Sequence, residues 1–410
     1  MTAPAVALLA SALLSSLAWA TPSNTVVYTV DRVYTAPAAP PIDNAVVVIR
    51  DGKIVSVGAK GVTPLPADAV VHEQKGSTML AGFWNSHVHL MGPGFEKMAV
   101  APAGELNASL RRMLLQYGFV HAYQVAALDL QGSLALRQRI QKSEVIGPSI
   151  HTTGMPFVGP GGTPTYIQGI EFPKLTDVST ADKDVRAQMA AGADGIKLMP
   201  VTGNFGHRVP MSVEVARAAV SAAHANKGLV FVHPTNVEGV RIAVQSGADV
   251  VVHVSPDDLE PWDDALVAEM KRRNVALIPT LKLYEWDPAR QGASPEAVRR
   301  VSAMAVQQLA LYSKAGGVVL FGTDVGYMPD SDPADEYRLM TKAGLTFEQL
   351  LASLTTAPAL KFGVAKQTGE IKPGMDADIV ILDGDPKRDL QAFTRVKLAL
   401  LGGKVVFERD

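Results

Sequence analysis

The chain carries two hydrophobic rhythms. Runs rich in β-branched residues stand at both ends: 25–30, 45–50 and 53–58 near the start, then 377–382, 396–401 and 404–407 near the end. Asp51-Gly52 separates 45–50 from 53–58, and Gly402-Gly403 separates the last two runs. Strand, two-residue glycine turn, strand is a hairpin signature, because the favoured turns need positive φ at their central residues. Both termini therefore read as β, and they predict one small β-sandwich built from 21–78 and 368–410.

The middle, 79–367, reads differently. Short apolar runs at 79–83, 119–125, 149–153, 195–199, 229–232, 250–254, 276–281 and 318–322 alternate with Ala-rich amphipathic stretches such as 212–226 and 265–273. Eight strands with intervening helices predict an α/β fold of the TIM type, a (β/α)₈ barrel of the usual ~250-residue size. The Gly- and Pro-rich segment 156–174 predicts a long loop after the third strand, on the face where barrels carry their sites.

Residues 4–20 are apolar and uncharged and end in Ala18-Trp19-Ala20, the small-x-small pattern of a cleaved signal peptide. No Lys or Arg precedes them, which departs from the usual basic start; an uncleaved anchor is the rival reading. A signal at 1–20 predicts a periplasmic or secreted protein, with no membrane association once it is removed. Hydrophobic residues are 47% and charged residues 19%, a globular composition. A net charge of -2 without a basic run argues against nucleic acid or an anionic membrane as partner, and leaves a small molecule, with a homo-oligomer allowed. The chain has no cysteine, so any metal must be held by His, carboxylate or another nitrogen or oxygen donor.

Polar residues terminate the apolar strands. His87 and His89 end the first, Lys197 the fourth, His233 the fifth, His253 the sixth and Asp324 the eighth. In a barrel all strand C-termini meet at one rim, so these six would share one pocket. Histidines at i and i+2 of a strand face the same side. Imidazole and carboxylate suit Zn²⁺, and also Mn²⁺, Fe²⁺ or Co²⁺. A lysine in such a cluster loses proton affinity through burial and cationic neighbours, and a neutral amine can be carboxylated to an anionic bridge. Each residue also has a plainer reading. A lone His after a strand is more often a packed rim residue, Asp after Gly-Thr serves as a helix cap, and a lysine can snorkel. Their joint occurrence at successive strand ends is what favours a metal.

The chain resembles the amidohydrolase superfamily, in its imidazolonepropionase-like and Xaa-Pro dipeptidase-like branch. The likeness rests on 46–58, on Ala81-Gly82-Phe83-Trp84-Asn85-Ser86-His87-Val88-His89-Leu90, on Phe321-Gly322-Thr323-Asp324, and on Thr356-Ala357-Pro358-Ala359, 369–374 and 377–382. It implies that His87, His89 and Asp324 bind one metal, that carboxylated Lys197 bridges to a second, and that His233 and His253 hold the second. Two Zn ions per chain are the expectation. A metal-bound hydroxide would attack the carbonyl of an amide or peptide, with a dipeptide or N-acyl amino acid favoured, while Asp324 moves the proton as the catalytic residue. Asn85 stands where the family has Asp, and His121 with Tyr123 stand where it has an Arg-Asp pair. Tyr123, Tyr166 and His207 are the candidate substrate contacts. Rival readings are a mononuclear cyclic-amide hydrolase or deaminase, a lactonase or phosphoesterase, and a catalytically silent ligand-binding barrel.

Overall fold

The computed structural model of the chain describes residues 25–409 except 68, 165, 168, 205 and 206, so the expected signal at 1–20 lies outside the described residues. Its strands are β1 (Thr25–Val33), β2 (Ile42–Arg50), β3 (Lys53–Ala59), β4 (Val70–Ala81), β5 (Phe83–Val88), β6 (Phe119–Gln124), β7 (Ser149–Thr152), β8 (Phe157–Val158) and β9 (Gly195–Met199). Then come β10 (Val201–Asn204), β11 (His207–Pro210), β12 (Leu229–Val232), β13 (Val250–Val252), β14 (Ala276–Ile278), β15 (Ile379–Asp383), β16 (Val396–Leu401) and β17 (Lys404–Glu408).

The β-branched runs of both termini join one sheet, in the order β17-β16-β15-β4-β1-β2-β3. The expected two-layer sandwich is thus one continuous seven-stranded sheet among the described residues. β4 is its seam: it pairs parallel with β1 on one side and antiparallel with β15 on the other. Val30, Val47, Ile54, Met79, Ile379 and Leu398, from strands of both ends, share one buried cluster. Both glycine turns form as their sequences require. Asp51 and Gly52 adopt φ of 49° and 77°, and Gly402 and Gly403 adopt 55° and 75°. The two turns also pack against each other, since a Cβ on Gly52 would lie 2.7 Å from the Gly402 carbonyl oxygen.

The run at 79–83 is divided rather than continuous. Residues up to Ala81 finish β4 in the terminal sheet, past the expected boundary at 78, and β5 begins a new direction at Phe83. Gly82 permits the break: a Cβ there would sit 2.3 Å from Val120 Cγ2.

In the middle, β5-β6-β7 form one parallel sheet and β14-β13-β12-β9-β8 a second. Capped helices connect them. Ser212 caps Val213–Ala225, Asn236 caps Val237–Ser246, and Asp263 caps Asp264–Arg272, each side chain accepting a backbone N–H of the first turn. Segment 318–325 links the two sheets. The Leu277 N–H donates to Val318 O at 2.9 Å on one side, and the Asp324 N–H donates to His87 O at 2.9 Å on the other. This eighth run is not a regular strand, because it touches its neighbours only by single bridges at Val319 and Val325. No ladder joins β7 to β8 among the described residues. Between them Gly154 turns the chain at φ 71°, and Pro156 has no N–H to give. The fold is mixed α/β, with two parallel sheets facing one buried interior that includes Phe231, Val252, Ile278 and Leu320.

The turn-to-turn contact predicts a graded result. Gly52→Ala should cost about 2–4 kcal/mol, combining an unfavourable φ with the clash at Gly402. Gly76→Ala, at φ 67° with nothing within 4 Å of its Cβ, should cost about 1 kcal/mol. Urea unfolding of the two variants measures both, and equal losses would mean that the contact contributes nothing.

Candidate metal centre and its pocket

The site begins with β5. Its register against 321–325 is fixed by backbone bonds from Ser86 N–H to Phe321 O (2.8 Å) and from His89 N–H to Val325 O (2.8 Å). Asn85 fastens the two segments through its side chain. Its Nδ2 donates to Thr323 Oγ1 at 2.7 Å, while its Oδ1 accepts the Thr323 N–H at 3.2 Å and the His87 N–H at 3.3 Å. Gly326 lets the chain pass close by, since a Cβ there would lie 1.9 Å from the His89 carbonyl oxygen.

This clamp sets His87 Nε2 3.0 Å and His89 Nε2 2.9 Å from the same atom, Asp324 Oδ1. The two imidazole nitrogens are 3.1 Å apart. The three side chains form a group able to hold an ion, with one ligand atom from each within 4.8 Å of the others. His89 Nδ1 lies 3.2 Å from the Ala126 carbonyl oxygen, which can only accept, so that nitrogen carries the proton. In the neutral ring His89 Nε2 is then a bare lone pair directed at a carboxylate oxygen. Two acceptors at that distance in a buried place repel unless a cation lies between them. Imidazole nitrogen and carboxylate oxygen are the donor set of a divalent transition metal, so these residues fit such an ion.

The other expected ligands line the same cavity of about 780 Å³. His253 lies with its ring centre 4.9 Å from that of His87 and 4.7 Å from that of His233. The Thr280 hydroxyl donates to Pro279 O at 2.8 Å, so its oxygen accepts from His253 Nδ1 at 2.5 Å and leaves His253 Nε2 bare. Lys197, 3% exposed, projects from β9 into the cavity. Burial pulls its ammonium down to about 7 against the attraction of Asp324. Burial also lowers His87 to about 3, against Asp324, and His233 to about 3, aided by Lys197. Burial works to raise Asp324, but His87 at 3.0 Å outweighs it and holds the carboxyl well below the usual range. Lowered proton affinity favours neutral rings at His87, His233 and His253, the form in which an imidazole binds a metal.

Three candidate substrate contacts fall in different places. Tyr166 lies on the cavity wall, edge-on to Tyr327 with ring centres 6.0 Å apart. Tyr123 does not reach the cavity: it is 1% exposed and packs in the interior, 4.5 Å from the ring of Phe231. The β6 residue that does line the cavity is its neighbour Gln124, because side chains alternate along a strand. The same parity removes His207. In the hairpin of β10 and β11 it is exposed, and Arg208 lines the cavity instead. His121 packs as well, stacked on Trp84 at 4.4 Å and paired with Asp378 at 3.1 Å. Sequence reasoning also missed the residues that orient the imidazoles, Ala126 through its carbonyl and Thr280 through its hydroxyl. Neither carries a pattern that distinguishes it from an ordinary loop residue.

Residues 78–406 match the amidohydrolase family. The chain belongs to that family. The Aspergillus niger ochratoxinase is 25% identical to this amidohydrolase over 405 positions, covering 87% of this chain and 81% of that protein. A dihydroorotase of Pelotomaculum thermopropionicum is 25% identical over 85% of this chain and 87% of its own. Among solved structures, an Xaa-Pro dipeptidase with bound methionine matches at TM-score 0.80 and 20% identity, over 94% of this chain and 100% of that one. The A. niger ochratoxinase structure matches at TM-score 0.76 and 21% identity. The likeness to the dipeptidase is one of fold. This chain is a hydrolase of carbon–nitrogen bonds, amide or peptide, in a family that generally uses divalent metals and acts on small molecules.

The clamp at Asn85 is open to test. Asn85→Ala strips an acceptor from two buried N–H groups and should cost about 2–4 kcal/mol of stability. Asn85→Asp keeps an oxygen for both N–H groups and should lose less. Thermal unfolding of the two proteins decides; identical losses would remove the acceptor contacts from the account.

Proposed function

We propose that the amidohydrolase is metal-dependent and cleaves the amide or peptide bond of a dipeptide or N-acyl amino acid. His87, His89 and Asp324 would hold one divalent ion, and His233, His253 and carboxylated Lys197 a second, with zinc the metal best matched to the donors. The observation that carries this reading is the convergence of His87 Nε2 and His89 Nε2 on Asp324 Oδ1, at 3.0 and 2.9 Å. When bound, such ions lower the pKa of water toward 7 and polarise a carbonyl oxygen.

The chain's own residues supply the rest. Asp324 stays ionised in its buried position, so it can take the proton of the attacking water and return it to the leaving nitrogen, help worth ~10²–10⁴-fold. Ala126 and Thr280 hold the His89 and His253 rings with their Nε2 atoms turned inward. Leu90, Ile167, Ile170 and Phe172 give the cavity apolar walls, which exclude water and suit a bulky acyl group. The finer architecture belongs to the same reading. The two parallel sheets and segment 318–325 would form the wall of a (β/α)₈ barrel spanning 79–367, and the termini a separate layer. The signal pattern at 1–20 supports export to the periplasm or beyond.

One observation favours a second reading. Among the described residues, only His87, His89 and Asp324 meet the spacing expected around a single ion. In that case Lys197 remains an amine and the enzyme is mononuclear, a cyclic-amide hydrolase or deaminase.

Metal content and activity discriminate the readings. The as-isolated protein should carry close to two divalent ions per chain, and intact-mass analysis under native conditions should detect the CO₂ adduct that Lys197→Met abolishes. One ion and an unmodified lysine support the mononuclear form. Chelation should abolish hydrolysis of a dipeptide and N-acyl amino acid panel, and Asp324→Asn should lower kcat by about 10²-fold or more. Full activity after complete metal removal would overturn both readings.

A further inference from the structure

The cavity wall has a built-in charge that the reaction itself does not use. Its cationic side chains, among the described residues, are Lys197 and Arg208. Lys197 sits among the candidate metal ligands and is held near neutrality by burial. Arg208 is different, because a guanidinium cannot be neutralised at ordinary pH.

The hairpin explains its position. Arg208 on β11 pairs with Gly203 on β10, and the two residues face the same side of the ribbon. Gly203 offers no side chain there, so space toward the cavity is left to the guanidinium. The charge lies close enough to the cluster to lower the proton affinity of His233. It is therefore on the catalytic cavity and within electrostatic reach of the scissile bond's position.

One partner of Arg208 is Asp257, a few residues beyond His253 and also on the cavity wall. The pair meets through Arg208 Nη2 and Asp257 Oδ2 at 3.3 Å, long for a charge-assisted bond. Burial raises the Asp257 carboxyl to about 6, with Arg208 opposing. Asp257 is thus a weakly held partner that is already reluctant to ionise. A substrate carboxylate offers two oxygens in the fork geometry that a guanidinium prefers, and it displaces Asp257 at low cost. By contrast Asp287, the other wall carboxylate outside the metal cluster, is engaged by Arg290 at 2.6 Å and by Tyr327 at 3.2 Å. The same cavity has apolar wall at Ile167, Ile170 and Phe172, which suits the uncharged part of a substrate.

We propose that Arg208 is a specificity-determining residue that binds the free carboxylate of the substrate, with Asp257 as the internal ligand that the carboxylate replaces. The enzyme would then select N-acyl amino acids and dipeptides over counterparts blocked at the C-terminus. This rests on the amide-hydrolase reading given above, and the test separates the two.

Binding is measured by calorimetry on the metal-containing protein with N-benzylphenylalanine and N-benzylphenylalaninol, neither of which has an amide to cleave. Hydrolysis of N-benzoylphenylalanine and of its carboxamide is followed in parallel. Wild-type protein should bind the acid more tightly than the alcohol. Arg208→Gln should weaken the acid by roughly 10- to 100-fold and leave the alcohol within about 2-fold. The hydrolytic loss should fall on KM for the free acid, with kcat little changed. Asp257→Asn should bind the acid at least as tightly as wild type. If both variants weaken acid and alcohol alike, the pair merely braces the hairpin and the proposal is overturned. Absence of an acid preference in the wild type overturns it too. Acid binding that depends on Arg208 without hydrolysis of any amide would leave the carboxylate site standing and remove the reaction.

Discussion

A carboxylate oxygen held within 3.0 Å of two imidazole nitrogens brings three metal-type donor atoms to one point. Much of the central architecture serves to keep that arrangement from relaxing. Backbone bonds between β5 and 321–325 fix the backbone around all three residues, and Asn85 ties the same segments through its side chain. Ala126 and Thr280 prevent the imidazoles from turning away. A cation site gains from such preorganisation, because its donor atoms are brought together during folding.

The backbone around the site bears the consequence. Ala126, Thr235, His253, Thr280 and Asp324 all have positive φ, between 46° and 99°, although none is glycine. Each follows a strand of the central sheets or the 318–325 segment. Such residues cost of order 1–3 kcal/mol apiece and persist where the surroundings over-determine them. Here the reason is geometric. A strand leaving the sheet must turn at once for its terminal side chain to point at a common centre, rather than alternate away from it. The terminal sheet shows the opposite economy, with its sharp turns made largely by glycines, as at Gly52, Gly402 and Gly403.

This division explains what could be read from the sequence. The Asp51-Gly52 and Gly402-Gly403 hairpins were legible because their residues are the ones that accept positive φ. The convergence of His87, His89, Lys197, His233, His253 and Asp324 was legible because apolar runs mark strand ends and strand ends share a rim. Parity within a run was not. Tyr123 and His207 each sit one residue from the side chain that faces the cavity, Gln124 and Arg208, and a one-residue error changes the face entirely. Nor did the apolar run at 79–83 reveal that Gly82 divides it between two sheets, since hydrophobicity alone carries no direction. The eighth run failed as a strand for the reason it matters: Asp324 is turned out of the extended conformation to reach the two histidines.

The same logic bears on Asn85, where the resemblance led to an expectation of Asp. An aspartate there would accept the two N–H groups as well as Asn85 does, but it would bring a second carboxylate next to the chain segment that carries Asp324. The amide avoids that charge and adds a donor to Thr323 Oγ1. With a single anionic residue among the three clustered side chains, the site's demand for positive charge falls on one point. The neutral amide thus strengthens the clamp without competing with Asp324 for the cation. Asn85 thus acts on how the site is braced, while the cavity wall is supplied from elsewhere, by parts of 156–174, the β10–β11 hairpin and Asp257.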